Sequence, residues 1–179
     1  MKIKKNKRLN QNEDRGLLYL GWIILITILT LVSGKAFAMV HTESERYCMA
    51  QNIYFESANQ SFAGKLAVGH VVINRVRDAQ FPDDICGVIY QAKTKVNWKG
   101  NKVPIRNQCQ FSWYCDGKSD EPVDSATWLK SLYIADLILE IGYSDITEGS
   151  LYYHADYILP YWADELEHVV TIDNHLFYK

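Results

Sequence analysis

Two runs of apolar residues at helical spacing, parted by a short polar break, constrain this chain more than any other feature. From Arg46 to Ser57 the positions Tyr47, Ala50, Ile53, Tyr54 and Ser57 recur at intervals of three and four, the period of one helix face. Ser44 is a suitable N-cap, with acidic neighbours that favour the positive end of the helix dipole. Asn59-Gln60 interrupts, and Ser61 can cap a second helix with the stripe Phe62, Leu66, Gly69, Ile73 and Val76. Gly69 on that stripe would let another backbone, such as the first helix, come close. The break falls directly after Glu56, so rigid elements flank that carboxylate on both sides. Tyr54 and Phe55 precede it. An apolar collar disfavours the charged carboxylate and suits it to donate a proton near neutral pH. The plain alternative is an exposed Glu at a helix end.

The rest of the chain fills out one α+β domain, mostly helical, with a small antiparallel sheet. Phe81-Pro82-Asp83-Asp84 starts a short third helix that runs through Tyr90. Helical periodicity then disappears from Gln91 to Cys115, with a hairpin turn expected at Trp98-Lys99-Gly100-Asn101-Lys102. Gln110-Phe111-Ser112-Trp113-Tyr114 suits a strand or a cleft wall. Asp124 caps the clearest helix, Ser125 to Ile141, which Gly142 ends. Its wide face of Trp128, Leu129, Leu132, Ala135, Ile138 and Leu139 marks it as the expected core helix. Strands are expected at 151–154, 169–172 and 175–178. No internal repeat appears, and no linker follows residue 45.

The front of the chain reads differently. Lys2, Lys4, Lys5, Lys7 and Arg8 precede an uncharged apolar run from Leu17 to Val32, and Ala36-Phe37-Ala38 follows. That order is a secretory signal peptide over residues 1–38, or an uncleaved N-terminal membrane anchor. Either way, export to the periplasm or the outside is expected, with any membrane contact made only through residues 17–32. Residues 39–45 form a polar lead-in to the domain at 46–179. Residues 1–38 hold seven of the 19 Lys and Arg and two of the 21 Asp and Glu, so the remainder carries a formal charge of −7. Such an acidic domain is ill suited to phosphate backbones, and nucleic acid is not an expected partner. Cys48, Cys86, Cys109 and Cys115 all lie beyond residue 38. In an oxidising compartment they should form two disulfides, in any of three pairings.

Three chemistries compete on these residues. Glu56 could be the general acid of a glycan-cleaving enzyme, with aromatics clustered at 111–114, 152–157 and 161–162 to meet sugar rings. A metal-dependent amidase or peptidase would draw on His70, His154, His168 or His175, but no H-E-x-x-H pair is present. A non-catalytic wall-binding module would need the same aromatics. Cysteine nucleophiles are disfavoured by the expected disulfides, and no G-x-S-x-G elbow exists.

An ordered set of motifs decides among them. Ile53-Tyr54-Phe55-Glu56 is followed by Ala67-Val68-Gly69 and Val72-Ile73-Asn74-Arg75-Val76, then by Phe81-Pro82 with Cys86-Gly87-Val88-Ile89-Tyr90-Gln91. Cys109-Gln110-Phe111-Ser112 and Cys115-Asp116-Gly117 come next, and Tyr153-His154-Ala155, Pro160-Tyr161-Trp162 and His175-Leu176-Phe177-Tyr178 close the series. Residues 46–179 thereby resemble the SleB-like cell wall hydrolases, the group containing spore-cortex-lytic enzymes. The resemblance implies a lysozyme-like fold related to lytic transglycosylases, acting as a monomer on peptidoglycan glycan strands. The family's catalytic acid maps onto Glu56. Gln110, Ser112, Tyr152, His154 and His175 are the candidates for lining the cleft, and neither a metal nor an organic cofactor is implied.

One departure has mechanistic content. In the family the Glu is followed by a small residue, Arg, Gly and a second acid; here Ser57-Ala58-Asn59-Gln60 follows. Hydrolysis by two carboxylates needs a partner for Glu56, and the nearest one in sequence is absent. Asp116 or Asp156 would have to serve instead. A lytic transglycosylase needs no attacking water, because the muramic acid 6-hydroxyl closes on its own anomeric carbon. A single acid suffices for that reaction.

Overall fold

The computed structural model describes residues 41–179. The signal peptide or anchor expected over 1–38 lies outside the described residues. Helix α1 (Glu43–Ser57) starts two residues beyond His41, so the last three residues of the expected lead-in are helical. Its N-cap is Thr42, not Ser44. The Thr42 hydroxyl accepts from the Glu45 amide at 3.1 Å while the Glu45 carboxylate accepts from the Thr42 amide at 2.8 Å. This reciprocal pair is a capping box, and Thr42-Glu43-Ser44-Glu45 carries its T-x-x-E pattern.

Helix α2 (Phe62–Arg77) is capped by Ser61 as expected, through a 3.2 Å bond from the Gly64 amide to its hydroxyl. It is buried nearly all round: Ala67, Val68, Val71 and Val72 have no exposed surface. Phe62, placed on the stripe by sequence, is exposed instead. Gly69 makes room for the Ile138 side chain, with Ile53 and Met49 close by, rather than for a second backbone.

Asp84 caps the short α3 (Ile85–Ile89), and Asp124 caps α4 (Ser125–Leu139). Helix α4 is not the core helix. It lays Ile134, Ala135 and Ile138 against the others but leaves Leu129 and Tyr133 exposed. Helix α2 holds the centre because α1, α3 and α4 cover one side of it. On its other side Ala67 and Val71 pack against Phe177 of the sheet.

Strands β1 (Ala92–Val96) and β2 (Lys102–Cys109) make an antiparallel hairpin with the turn where sequence placed it, and Gly100 takes the left-handed conformation there at φ +81°. A single 3-10 turn, Ser112–Cys115, follows. Strands β3 (Tyr152–Ala155), β4 (His168–Ile172) and β5 (His175–Tyr178) form an antiparallel sheet in the order β3-β5-β4. The expected mostly helical α+β class with a small antiparallel sheet therefore holds. The disulfides join Cys48 to Cys86, tying α1 to α3, and Cys109 to Cys115, closing the loop that carries Ser112 and Trp113.

Candidate functional site

Helix α1 adds Cys48, Met49, Ala50 and Ile53 to the core, and its polar side chains also reach into the body and find partners there. Asn52 is fully buried and accepts from the Trp113 indole N–H at 3.0 Å. Gln51 donates to the Asp120 carbonyl at 2.7 Å, and the Tyr54 hydroxyl accepts from the Val123 and Asp124 amides. Phe55 stacks on Trp113 with ring centroids 4.8 Å apart. These contacts fix the last two turns of α1, and Glu56 projects from them into a cavity of about 580 Å³.

Among the described residues, the Glu56 carboxylate has one hydrogen bond, received from the Tyr153 hydroxyl at 2.9 Å. Burial pushes the Glu56 pKa above the ordinary carboxylate value, outweighing the Tyr153 hydrogen bond and the positive charge of Arg75, which both lower it. Burial also pushes Tyr153 well above the usual phenol range, reinforced by the Glu56 charge, so Tyr153 remains a proton-bearing donor. The outcome is a carboxyl group that holds its proton to higher pH than a solvated one.

Helix α2 positions both members of this pair. At its N-terminal end the buried Lys65 donates to the carbonyls of Ser57, Ala58 and Gln60 at 2.6, 2.9 and 2.7 Å. The Ser57 and Ala58 carbonyls lie at the α1 C-terminus, which has no left-handed glycine cap, and Ser57 also accepts from the Gln60 amide at 2.9 Å. At its other end Asn74 bonds Asp145, Thr147 and the Ser150 carbonyl, and Arg75 donates to the Leu151 carbonyl at 2.8 Å. These bonds hold the chain just before β3, the strand that carries Tyr153.

Of the residues expected from sequence, Glu56, Ser112, His154 and His175 line the one cavity. Gln110 and Tyr152 do not. Gln110 opens into a separate polar cavity at the hairpin base with Gln91 and Gln108. Tyr152 turns away to pack on Phe81 and Trp162, beside the Arg75 guanidinium. His154 is wedged between Tyr178 and Trp162, and its Nε2 lies 3.0 Å from the Tyr178 hydroxyl. His175 packs edge-on against Tyr153, and burial lowers its pKa, which keeps it neutral at neutral pH.

Trp113, Tyr153 and Trp162 line the wall, as the aromatic clusters at 111–114, 152–157 and 161–162 suggest, although sequence singles out none of the three. The cavity meets the end of β3 and takes the consecutive residues Tyr153, His154 and Ala155, so strand alternation gave no guide. Asp116 also lines this cavity, whereas Asp156 does not. The Lys118 backbone N–H, then its ammonium and the Arg106 charge, pull Asp116 below the usual carboxylate range, so it is ionised at neutral pH. Among the described residues, no three His, Cys, Asp or Glu side chains converge as a metal-ligand set.

Comparisons with known proteins agree with this architecture. The family model described as Cell Wall Hydrolase matches residues 59–178. That match starts three residues after Glu56, whose assignment therefore stands on geometry and motif. A spore cortex-lytic enzyme of Halalkalibacterium halodurans is 33% identical over 51 residues, 28% of this chain and 16% of the relative. One from Bacillus cereus is 34% identical over 53 residues, 30% of this chain and 20% of the relative. The chain thus matches no more than a fifth of the length of these curated relatives.

In three dimensions the catalytic domain of the Bacillus cereus SleB protein superposes with a TM-score of 0.58 at 22% identity, over 82% of this chain and 99% of that one. The SleB catalytic domain from Bacillus anthracis, described as a germination-specific lytic transglycosylase, gives 0.57 at 24% identity, over 79% and 98%. The fold is thus the one shared with these two catalytic domains. With well over half of its length matched by the family model, the chain belongs to the Cell Wall Hydrolase family.

Proposed function

We propose that this chain is an exported peptidoglycan-degrading enzyme that cleaves the β-1,4 bond between N-acetylmuramic acid and N-acetylglucosamine, acting as a single-acid lytic transglycosylase. The observation that carries the reading is the Glu56 carboxyl, held by Tyr153 in an aromatic-walled cavity where burial raises its pKa. Family membership supports the substrate class, and two disulfides fit an oxidising compartment.

In this reading Glu56 gives its proton to the bridging glycosidic oxygen as the bond to the muramic acid C1 breaks. The resulting Glu56 carboxylate then takes the proton of the muramic acid 6-hydroxyl as that oxygen closes on C1. The product is a 1,6-anhydro end, and Glu56 is again protonated. Ser57-Ala58-Asn59-Gln60 supplies no second acid beside it, and this route needs none. Ser112, His154 and His175 serve as polar groups along the sugar path.

Asp116 supports a second reading. It is ionised and lines the same cavity, so it could act as the partner carboxylate of a hydrolase. Mass analysis of products from purified peptidoglycan separates the two. Ends lacking one water mean transglycosylation, and reducing ends mean hydrolysis. Freed peptides would point to an amidase, and intact wall with protein bound to a binding module; either result overturns the proposal.

A further inference from the structure

We infer that the β1–β2 hairpin is a docking element for an anionic phospholipid surface, entering tip first with Trp98 at the apex. Residues 92–106 hold Lys93, Lys95, Lys99, Lys102 and Arg106 and no acidic residue. From residue 39 onward the formal charge is −7, so without the hairpin that part of the chain stands at −12. A cationic arm on an anionic body gives the domain a strong charge asymmetry. Near a negative surface the hairpin is drawn forward while the body is repelled.

The arm is also shaped for end-on approach. β1 and β2 form a sheet of their own, and all five of its cations are exposed. Lys95 pairs with Val103 and Val96 with Lys102. Paired residues share a sheet face and successive residues alternate, so lysines occupy both faces near the tip. A flat, one-sided approach would leave half of them unused.

The turn is preorganised. The Asn97 side-chain oxygen accepts from the Lys99 and Asn101 amides at 2.9 and 3.0 Å, and the Gly100 amide donates to the Asn97 carbonyl at 2.9 Å. This turn presents Trp98 with 89% of its surface exposed, and the Lys99 ammonium lies 4.8 Å from the ring centroid. Val96, also exposed, adds apolar surface one step below.

An indole ringed by lysines matches the chemistry of the membrane interface, where tryptophan sits at headgroup level and lysine meets anionic lipid. A soluble polyanion would use the lysines but leave the indole and Val96 without a role. Sequence allowed membrane contact only through residues 17–32. The hairpin adds a second contact, independent of whether Glu56 is the acid.

The test uses the full chain with vesicles of phosphatidylglycerol and phosphatidylcholine, or of phosphatidylcholine alone, in which a fraction of the lipids is brominated. Residues 1–40 are common to every sample. Trp98 emission is read as the difference between wild type and Trp98→Phe. Quenching is expected in the anionic vesicles and not in the neutral ones, and it should be lost in half-molar salt. A variant carrying Lys93→Glu, Lys95→Glu, Lys99→Glu and Lys102→Glu keeps the strand edges charged against edge-to-edge pairing. It should weaken the lipid-dependent signal about 100-fold or more. Equal quenching in both vesicles, no quenching in either, or full binding by the charge-reversed variant overturns the inference. So does hairpin-dependent binding to a purified anionic wall polymer with none to vesicles.

Discussion

The Tyr153 hydroxyl reaches the Glu56 carboxylate at 2.9 Å across 97 residues of sequence, and it is the only hydrogen bond that carboxylate makes among the described residues. Because the bond favours the charged form of Glu56, its removal should raise the Glu56 pKa further. Tyr153→Phe is therefore expected to move the alkaline limb of the pH–rate profile to higher pH. Loss of orientation should lower kcat about tenfold. A pH–rate profile of muropeptide release checks both effects. A limb that moves to lower pH would contradict the geometry.

Glu56 also links stability to pH. Burial raises its folded pKa above the unfolded value, so its favourable contribution is present at low pH and lost as pH rises through the folded pKa. Glu56→Gln removes that loss. The variant should match wild type in acid and become the more stable of the two above the Glu56 pKa. Chemical denaturation at a series of pH values reads the divergence directly.

Lys65 holds three carbonyls at the end of α1, immediately after Glu56. Lys65→Met fills the same space without donors, leaving the Ala58 and Gln60 carbonyls without this partner and Ser57 with the Gln60 amide alone. Stability should fall by about 2 kcal/mol, measured by urea denaturation. kcat should fall with KM little changed, since Lys65 touches no part of the cavity that holds Glu56. A change in KM alone would mean that Lys65 serves binding and not the placement of Glu56.

The two disulfides should separate stability from activity. Cys48 and Cys86 are 38 residues apart, Cys109 and Cys115 only six. Loop-closure entropy predicts about 4 kcal/mol for the longer bridge and about 2 kcal/mol for the shorter. Paired Cys→Ser variants, compared by thermal unfolding, should fall in that order. Activity should follow the reverse order, because the shorter bridge closes the loop that bears Ser112 and Trp113 of the cavity wall.

Much of this framework is legible in the chain itself. The three-and-four spacing around Ile53 and Leu66 locates two helices, and Ser61 and Asp124 cap where sequence places them. The T-x-x-E box at Thr42 is equally legible and names the N-cap that Ser44 does not provide. Which helix lies at the centre was not readable. Apolar content favours α4, but coverage by neighbours decides, and α2 is enclosed from both sides. The Tyr153–Glu56 pair was hidden for a related reason. It depends on Lys65, Asn74 and Arg75 fixing two distant segments onto one helix, and no local pattern records that. Tyr152 was preferred to Tyr153 with nothing in sequence to separate neighbouring tyrosines.

The most direct measurement compares wild type with Glu56→Gln for the rate of muropeptide release from purified peptidoglycan, with near-ultraviolet circular dichroism showing both folded. The amide keeps the shape and can still accept from Tyr153, but it has no proton to give. A loss of about 100-fold or more is predicted. Release at the wild-type rate would contradict the assignment of Glu56 as the acid.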